Sequence, residues 1–108
     1  SRESDRQMEE QRRKRQYLEE QYYEEKNKIH RQQEVLSNQL VNFRRETGQL
    51  VDKVNYLTKN DQWHKQQFYH AMEQSDHLIH QEGNRYRQQL EEKEREWTRT
   101  YRKELDKL

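Results

Sequence analysis

The chain has no cysteine and no proline, and only two glycines and a single alanine in 108 residues. Without cysteine there is neither a disulfide framework nor a thiolate metal site. Without proline, and with Gly48 and Gly83 isolated from each other, the turn punctuation of a β protein and any glycine-rich phosphate loop are missing too. Core-forming side chains are scarce: Leu, Ile, Val and Phe number 17, below the share of about 20% that an ordinary globular core needs. No apolar run approaches the roughly 18 residues of a membrane span, and Ser1–Glu10 has no apolar signal core. The expectation is a soluble chain with no classical export signal and no membrane contact.

What the chain has in abundance is charge. Lys and Arg number 22 against 21 Asp and Glu, so 40% of residues are charged while the net charge is +1. Composition of this kind leaves helix or disorder, and disorder would leave the apolar residues without a phase. Their phase is sharp. Tyr22, Ile29, Leu36, Phe43, Leu50 and Leu57 recur every seven residues, with Leu40 and Val54 at the alternate seam position and Lys26, Gln33 and Thr47 diluting it. This predicts an amphipathic helix over 17–57. The pattern lapses through Thr58, Lys59, Asn60, Asp61 and Gln62, where Asn60 or Asp61 can cap a new helix. A second seam then runs through Phe68, Met72, Ile79, Tyr86, Leu90, Trp97, Tyr101, Leu105 and Leu108, again with helical spacing.

The fold expected is therefore all-α, an antiparallel two-helix hairpin that completes a larger helical bundle with a partner: helix over 17–57, turn at 58–62, helix over 63–108. The register inferred from the turn sets Phe43 opposite Gly83, Leu36 opposite Leu90 and Ile29 opposite Trp97, and Leu57 beside Phe68 or Tyr69. Residues 1–16 find no counterpart in that register and form an overhang or a frayed helix. The competing arrangement is one unbroken helix in a long parallel dimer. Two consecutive polar seam positions, Asp61 and His64, weigh against it.

Chemistry has few places to sit. Glu73, His77 and His80 fall on one helical face at spacings that zinc could use, yet no Cys or dense Asp cluster accompanies them, and a solvated face is preferred. Ser37 and Ser75 lack the pocket and the orienting base of a nucleophile. Arg12, Arg13, Lys14 and Arg15 form a basic run, but Glu9, Glu10, Glu19 and Glu20 flank it, which argues for local salt bridges over nucleic acid. The expectation is a protein without catalytic residues, metal or cofactor.

Apolar residues outside the seams are more informative. Val35, Val41, Val51, Tyr56, Tyr69 and Leu78 lie off the seam lines, and a lone hairpin would leave most of them in water. They are the expected partner-binding residues. Cover can come from self-association into a four-helix bundle or from a different helical protein.

A helical hairpin of about this length, with Trp63 at the turn and Phe68 five residues on, resembles the Esx (Trp-x-Gly) superfamily of type VII secretion, although Trp63-His64-Lys65 lacks the glycine. The Gln/Glu/Arg-rich arms, the polar Lys59-Asn60-Asp61-Gln62 turn and the arm from Tyr86 to Leu108 look more like the small Lap-type targeting chaperones of LXG toxins in Gram-positive bacteria. The resemblance covers about residues 17–108. It implies a cytoplasmic adaptor that binds the helical N-terminal domain of an LXG toxin, with co-export alongside the toxin left open. Members often carry Tyr-x-x-x-Asp/Glu near the end of the second helix, whereas here Tyr101 leads to Leu105; the nearest match, Tyr69-x-x-x-Glu73, lies beside the turn. A Phe-x-x-x-Asp signal is missing too, since Phe68 leads to Met72 and Phe43 to Thr47. The resemblance then implies a second small chaperone that supplies the secretion signal.

Overall fold

A computed structural model describes every residue from Ser1 to Leu108. The chain is an all-α helical hairpin of two helices, α1 (Arg2–Leu57) and α2 (Gln62–Asp106), with no strand. α1 starts on a cap: the Ser4 amide donates to Ser1 Oγ at 3.2 Å, and Glu3 and Asp5 place negative charge in the first turn, where the helix dipole favours it. Residues 2–16 are thus part of α1, fifteen residues beyond the start that apolar periodicity gave. Charge pairing carries the helix there, as in Arg6–Glu3 at 2.7 Å and Arg12–Glu9 at 2.6 Å.

The reversal needs neither glycine nor a positive φ angle. Thr58 closes α1 by donating both its amide and its hydroxyl to the Val54 carbonyl, at 2.9 and 2.6 Å. The Asp61 amide then donates to the Thr58 carbonyl at 2.9 Å. Asp61 caps α2, its Oδ1 accepting the His64 amide at 3.1 Å while its other oxygen meets the His64 ring. Because the cap falls at Asp61, Gln62 is already helical and the turn is centred earlier than the register from sequence assumed. Leu40, not Phe43, consequently lies against Gly83, a shift of three residues.

The chain divides into two compact units. The terminal unit, 1–33 with 89–108, contains both fully buried side chains, Ile29 at 1% and Leu90 at 4% exposure. Around them, Tyr22 stacks on Tyr101 with ring centroids 4.5 Å apart, and its hydroxyl shares a 2.9 Å hydrogen bond with Thr98. Burial at that stack pushes the Tyr101 phenol above its ordinary pKa. His30 reaches Glu94 at 3.3 Å, and the Gln11 amide donates to the Leu108 carbonyl at 3.3 Å. The last contact ties the N-terminal segment to the residue two past the end of α2, a counterpart that the inferred register had denied it. The turn unit, 34–88, is crossed by the Leu40–Gly83 contact and by Tyr69, whose hydroxyl donates to Asn55 Oδ1 at 2.5 Å.

Covered positions fall on lines of two repeats. A seven-residue line on α1 runs through Lys26, Gln33, Leu40, Thr47 and Val54. The eleven-residue lines on α1 are Leu18, Ile29, Leu40 and Val51, with Leu36, Thr47 and Thr58 alongside. On α2 they are Phe68, Ile79, Leu90 and Tyr101, with Met72, Gly83, Glu94 and Leu105 alongside. Eleven residues in three turns give about 3.67 per turn, close to the relaxed helix, whereas a seven-residue line drifts by about 20° per repeat. The line from Tyr22 to Leu57 therefore leaves the seam as it proceeds. Ile29 is buried, Leu36 and Phe43 are part-covered, and Leu50 and Leu57 stand in solvent at 46% and 77% exposure. Tyr86 is likewise exposed. Leu50, Leu57 and Tyr86 thus depart from the core expected of them, while Val54, Phe68, Met72, Ile79, Trp97 and Tyr101 remain part-covered.

Ile29→Ala is expected to lower the unfolding free energy by about 2–4 kcal/mol, whereas Leu57→Ala should change it by no more than about 0.5 kcal/mol; urea denaturation followed by circular dichroism separates the two. The His64 amide, and after it the His64 side chain, hold the Asp61 carboxyl below its ordinary pKa. A carboxyl lowered in the folded state contributes stability that is complete above its unfolded pKa and is lost as pH falls through the folded one. Asp61→Ala should accordingly reduce Tm at neutral pH, and the gap from the parent protein should close on acidification below the carboxyl range.

Candidate docking surface

Each place where the sequence offered chemistry resolves into helix-surface pairing. His80 Nδ1 sits 2.9 Å from the Asp76 carbonyl, one turn back on its own helix, and no three of the His, Asp and Glu side chains converge as a metal site would require. Glu73, His77 and His80 are not gathered. In the basic run, Arg12 and Arg13 both turn to Glu9, at 2.6 and 3.4 Å, and the Arg12 hydrogen bond keeps that carboxyl below its usual range. On α2, Arg95 and Arg99 do the same to Glu92, at 2.8 and 3.1 Å. Neither polar nor charged residues are buried anywhere. Ionised groups at such exposure are screened and each pair contributes little by itself, so the support they give the helices comes from their number.

The apolar surface is distributed differently. Of the twelve large hydrophobic side chains exposed to solvent, nine belong to the turn unit, leaving only Met8, Tyr17 and Tyr23 in the terminal unit. Where the two arms of the turn unit meet, a shallow groove of about 340 Å³ is lined by Leu36, Leu40 and Phe43 from α1 and by Ile79, Gly83 and Tyr86 from α2, with Gln39 and Glu82 at its rim. Gly83, without a side chain, is part of that lining. A Cβ placed there would stand 3.5 Å from Leu40 Cδ2, ordinary van der Waals contact, so space does not demand the glycine.

The six residues expected to bind a partner do not form one patch. Val35, Val41, Tyr56 and Leu78 are exposed. Tyr69 is less so, its hydroxyl tied to Asn55 across the hairpin, and Lys59 lies over the Tyr56 ring at 5.0 Å from its centroid. Val51 is a different case: it is part-covered, because the eleven-residue repeat brings it into the seam with Leu40. At about 100° per residue, Val35 and Leu78 lie on the groove's side of the hairpin, Val41 and Tyr69 on the other, and Tyr56 at the back. Leu50 and Leu57, which continue the seven-residue line of Leu36 and Phe43 beyond the groove and are exposed, carried the opposite expectation. The signal that distinguishes them is the competition between a seven- and an eleven-residue period.

No family model, curated protein or solved structure matches this chain. The functional argument therefore rests on the surface itself. No helix is long and apolar enough to cross a membrane.

Both glycines lie inside helices with ordinary backbone angles and room for a methyl group. Gly48→Ala and Gly83→Ala should each stabilise the fold by about 0.5–1 kcal/mol through helix propensity, readable as a rise in Tm. Gly83→Ala alone would also make the groove shallower.

Proposed function

We propose that this protein is a non-enzymatic helical adaptor that buries the exposed apolar side chains of its turn unit against the helices of another protein. The observation that carries this is where the uncovered side chains lie: nine of twelve sit in one unit, and one of them, Tyr86, is in the lining of its groove. Uncovered apolar side chains concentrated on one part of a protein point to a partner that covers them. Helix-in-groove docking supplies the mechanism. Apolar anchors spaced by helical turns enter between two arms, and the charged flanks fix register and select the partner.

The partner's proposed class is the helical N-terminal domain of an LXG toxin, delivered to the type VII machinery from the cytoplasm. The Lap-type resemblance suggests this, and the hairpin with its polar turn supports it. Tyr101-x-x-x-Leu105 in place of an acidic export motif supports the further reading that a second small chaperone supplies the secretion signal. The alternative of a filament segment built as one unbroken parallel helix does not accommodate the capped break at Thr58–Asp61.

Leu78→Asp or Leu57→Asp should weaken binding to a purified LXG helical domain by at least roughly tenfold, since each removes an apolar anchor and buries a charge, with helicity of the free chain unchanged. Titration calorimetry is the readout. Equal affinity for both variants and the parent chain would remove this surface from the mechanism.

A further inference from the structure

Along α1 in the turn unit, Leu36, Phe43, Leu50 and Leu57 make a stripe that the hairpin itself does not cover at its turn end. Two charges flank it, Glu46 one turn before Leu50 and Lys53 one turn after. Glu46 has no cation three or four residues away, Lys53 has no carboxylate, and neither forms a salt bridge within the chain; Arg44, Arg45 and Asp52 share that lack but lie farther from the stripe. The other outward residues bordering the stripe, Gln39, Asn42 and Gln49, are uncharged.

These positions are symmetric about Leu50. Glu46 and Lys53 stand at nearly equal distances before and after it, and Phe43 and Leu57 stand seven residues to either side. We propose that a second copy of this chain covers the stripe, the two α1 helices running antiparallel about a two-fold axis at Leu50. In that arrangement Leu50 meets its own counterpart and Phe43 meets Leu57 of the second copy. Glu46 meets Lys53 of the second copy, so the pair forms twice in the dimer, once on each side of the axis, and no like charges are opposed. An isologous contact of this kind closes after two subunits. A seven-residue stripe also suits it, being the repeat by which a helix keeps contact with a partner that coils around it. Leu57 of the second copy comes level with Phe43, at the edge of the groove over Gly83. The proposal concerns the free chain and stands whether or not the toxin reading does.

The test uses the full purified chain. Sedimentation equilibrium over concentrations up to about 0.1 mM should give twice the 13.8 kDa chain mass. Glu46→Lys and Lys53→Glu should each raise the dimer dissociation constant roughly tenfold or more by opposing like charges, and the double variant should return it to near the parent value. Leu50→Cys, in a chain with no native cysteine, should cross-link to itself under mild oxidation, while Val41→Cys on the other side should not; circular dichroism checks that each variant stays helical. A monomer throughout the series overturns the proposal. So does a dimer that Val41→Cys captures in place of Leu50→Cys, or one that the double charge swap fails to restore.

Discussion

An α-helix offers its neighbour one stripe, and how fast that stripe rotates around the axis decides what the neighbour can cover. One line of covered residues on each arm keeps an eleven-residue period, Leu18–Ile29–Leu40–Val51 on α1 and Phe68–Ile79–Leu90–Tyr101 on α2. The strongest apolar line on α1 follows a seven-residue period. The two coincide at Ile29 and part company by Leu50, so a single helix serves the hairpin at one end and presents leucines to solvent at the other. Core and docking surface are consequences of the same mismatch.

The thinness of the core follows from composition. With only Ile29 and Leu90 fully buried, two-helix packing removes little apolar area from water, and a chain of this size is marginal unless something else supports it. The Tyr22–Tyr101 stack with its Thr98 hydrogen bond adds oriented contact in the terminal unit. The turn unit has no comparable cluster, and its part-covered residues border the groove. The unit with the weaker interior is the one with the larger uncovered apolar surface, as expected where docking completes a core that folding leaves unfinished.

Much of this was legible in the sequence, and the failures share a cause. Helical periodicity, the polar break and the cap at Asp61 follow from local rules in which the chain answers only to itself. The start of α1 did not, because residues 2–16 carry almost no apolar phase and are held by ion pairs such as Arg12–Glu9. Register was not legible: the cap falls at Asp61, one of the two positions expected, yet Leu40 replaces Phe43 against Gly83, because the path of the turn decides which residues of the two arms come level. Leu50 and Leu57 were assigned to the core because an unbroken heptad usually marks a seam. Val51 was assigned to the surface by the same rule. Choosing between periods that differ by a fraction of a residue per turn depends on the partner arm, which periodicity within one helix does not contain.

The proposed self-association and the proposed partner binding draw on overlapping side chains, and this overlap has an energetic consequence. If Leu50 and Leu57 are occupied by a second copy, a partner helix must displace that copy, and the apparent affinity falls by the fraction of chain held in the dimer. Under both proposals such competition would keep the leucines out of water until a partner is present, and so would limit nonspecific association by a surface that is otherwise adhesive. It also gives Gly83 a rationale that helix propensity does not. A residue that costs helix stability, where alanine would fit, keeps the groove deep enough for an incoming side chain from either occupant. On the same proposals Glu46 and Lys53, without ion-pair partners on their own helix, would be the selective element, satisfied by whichever helix brings the complementary pair at the right spacing.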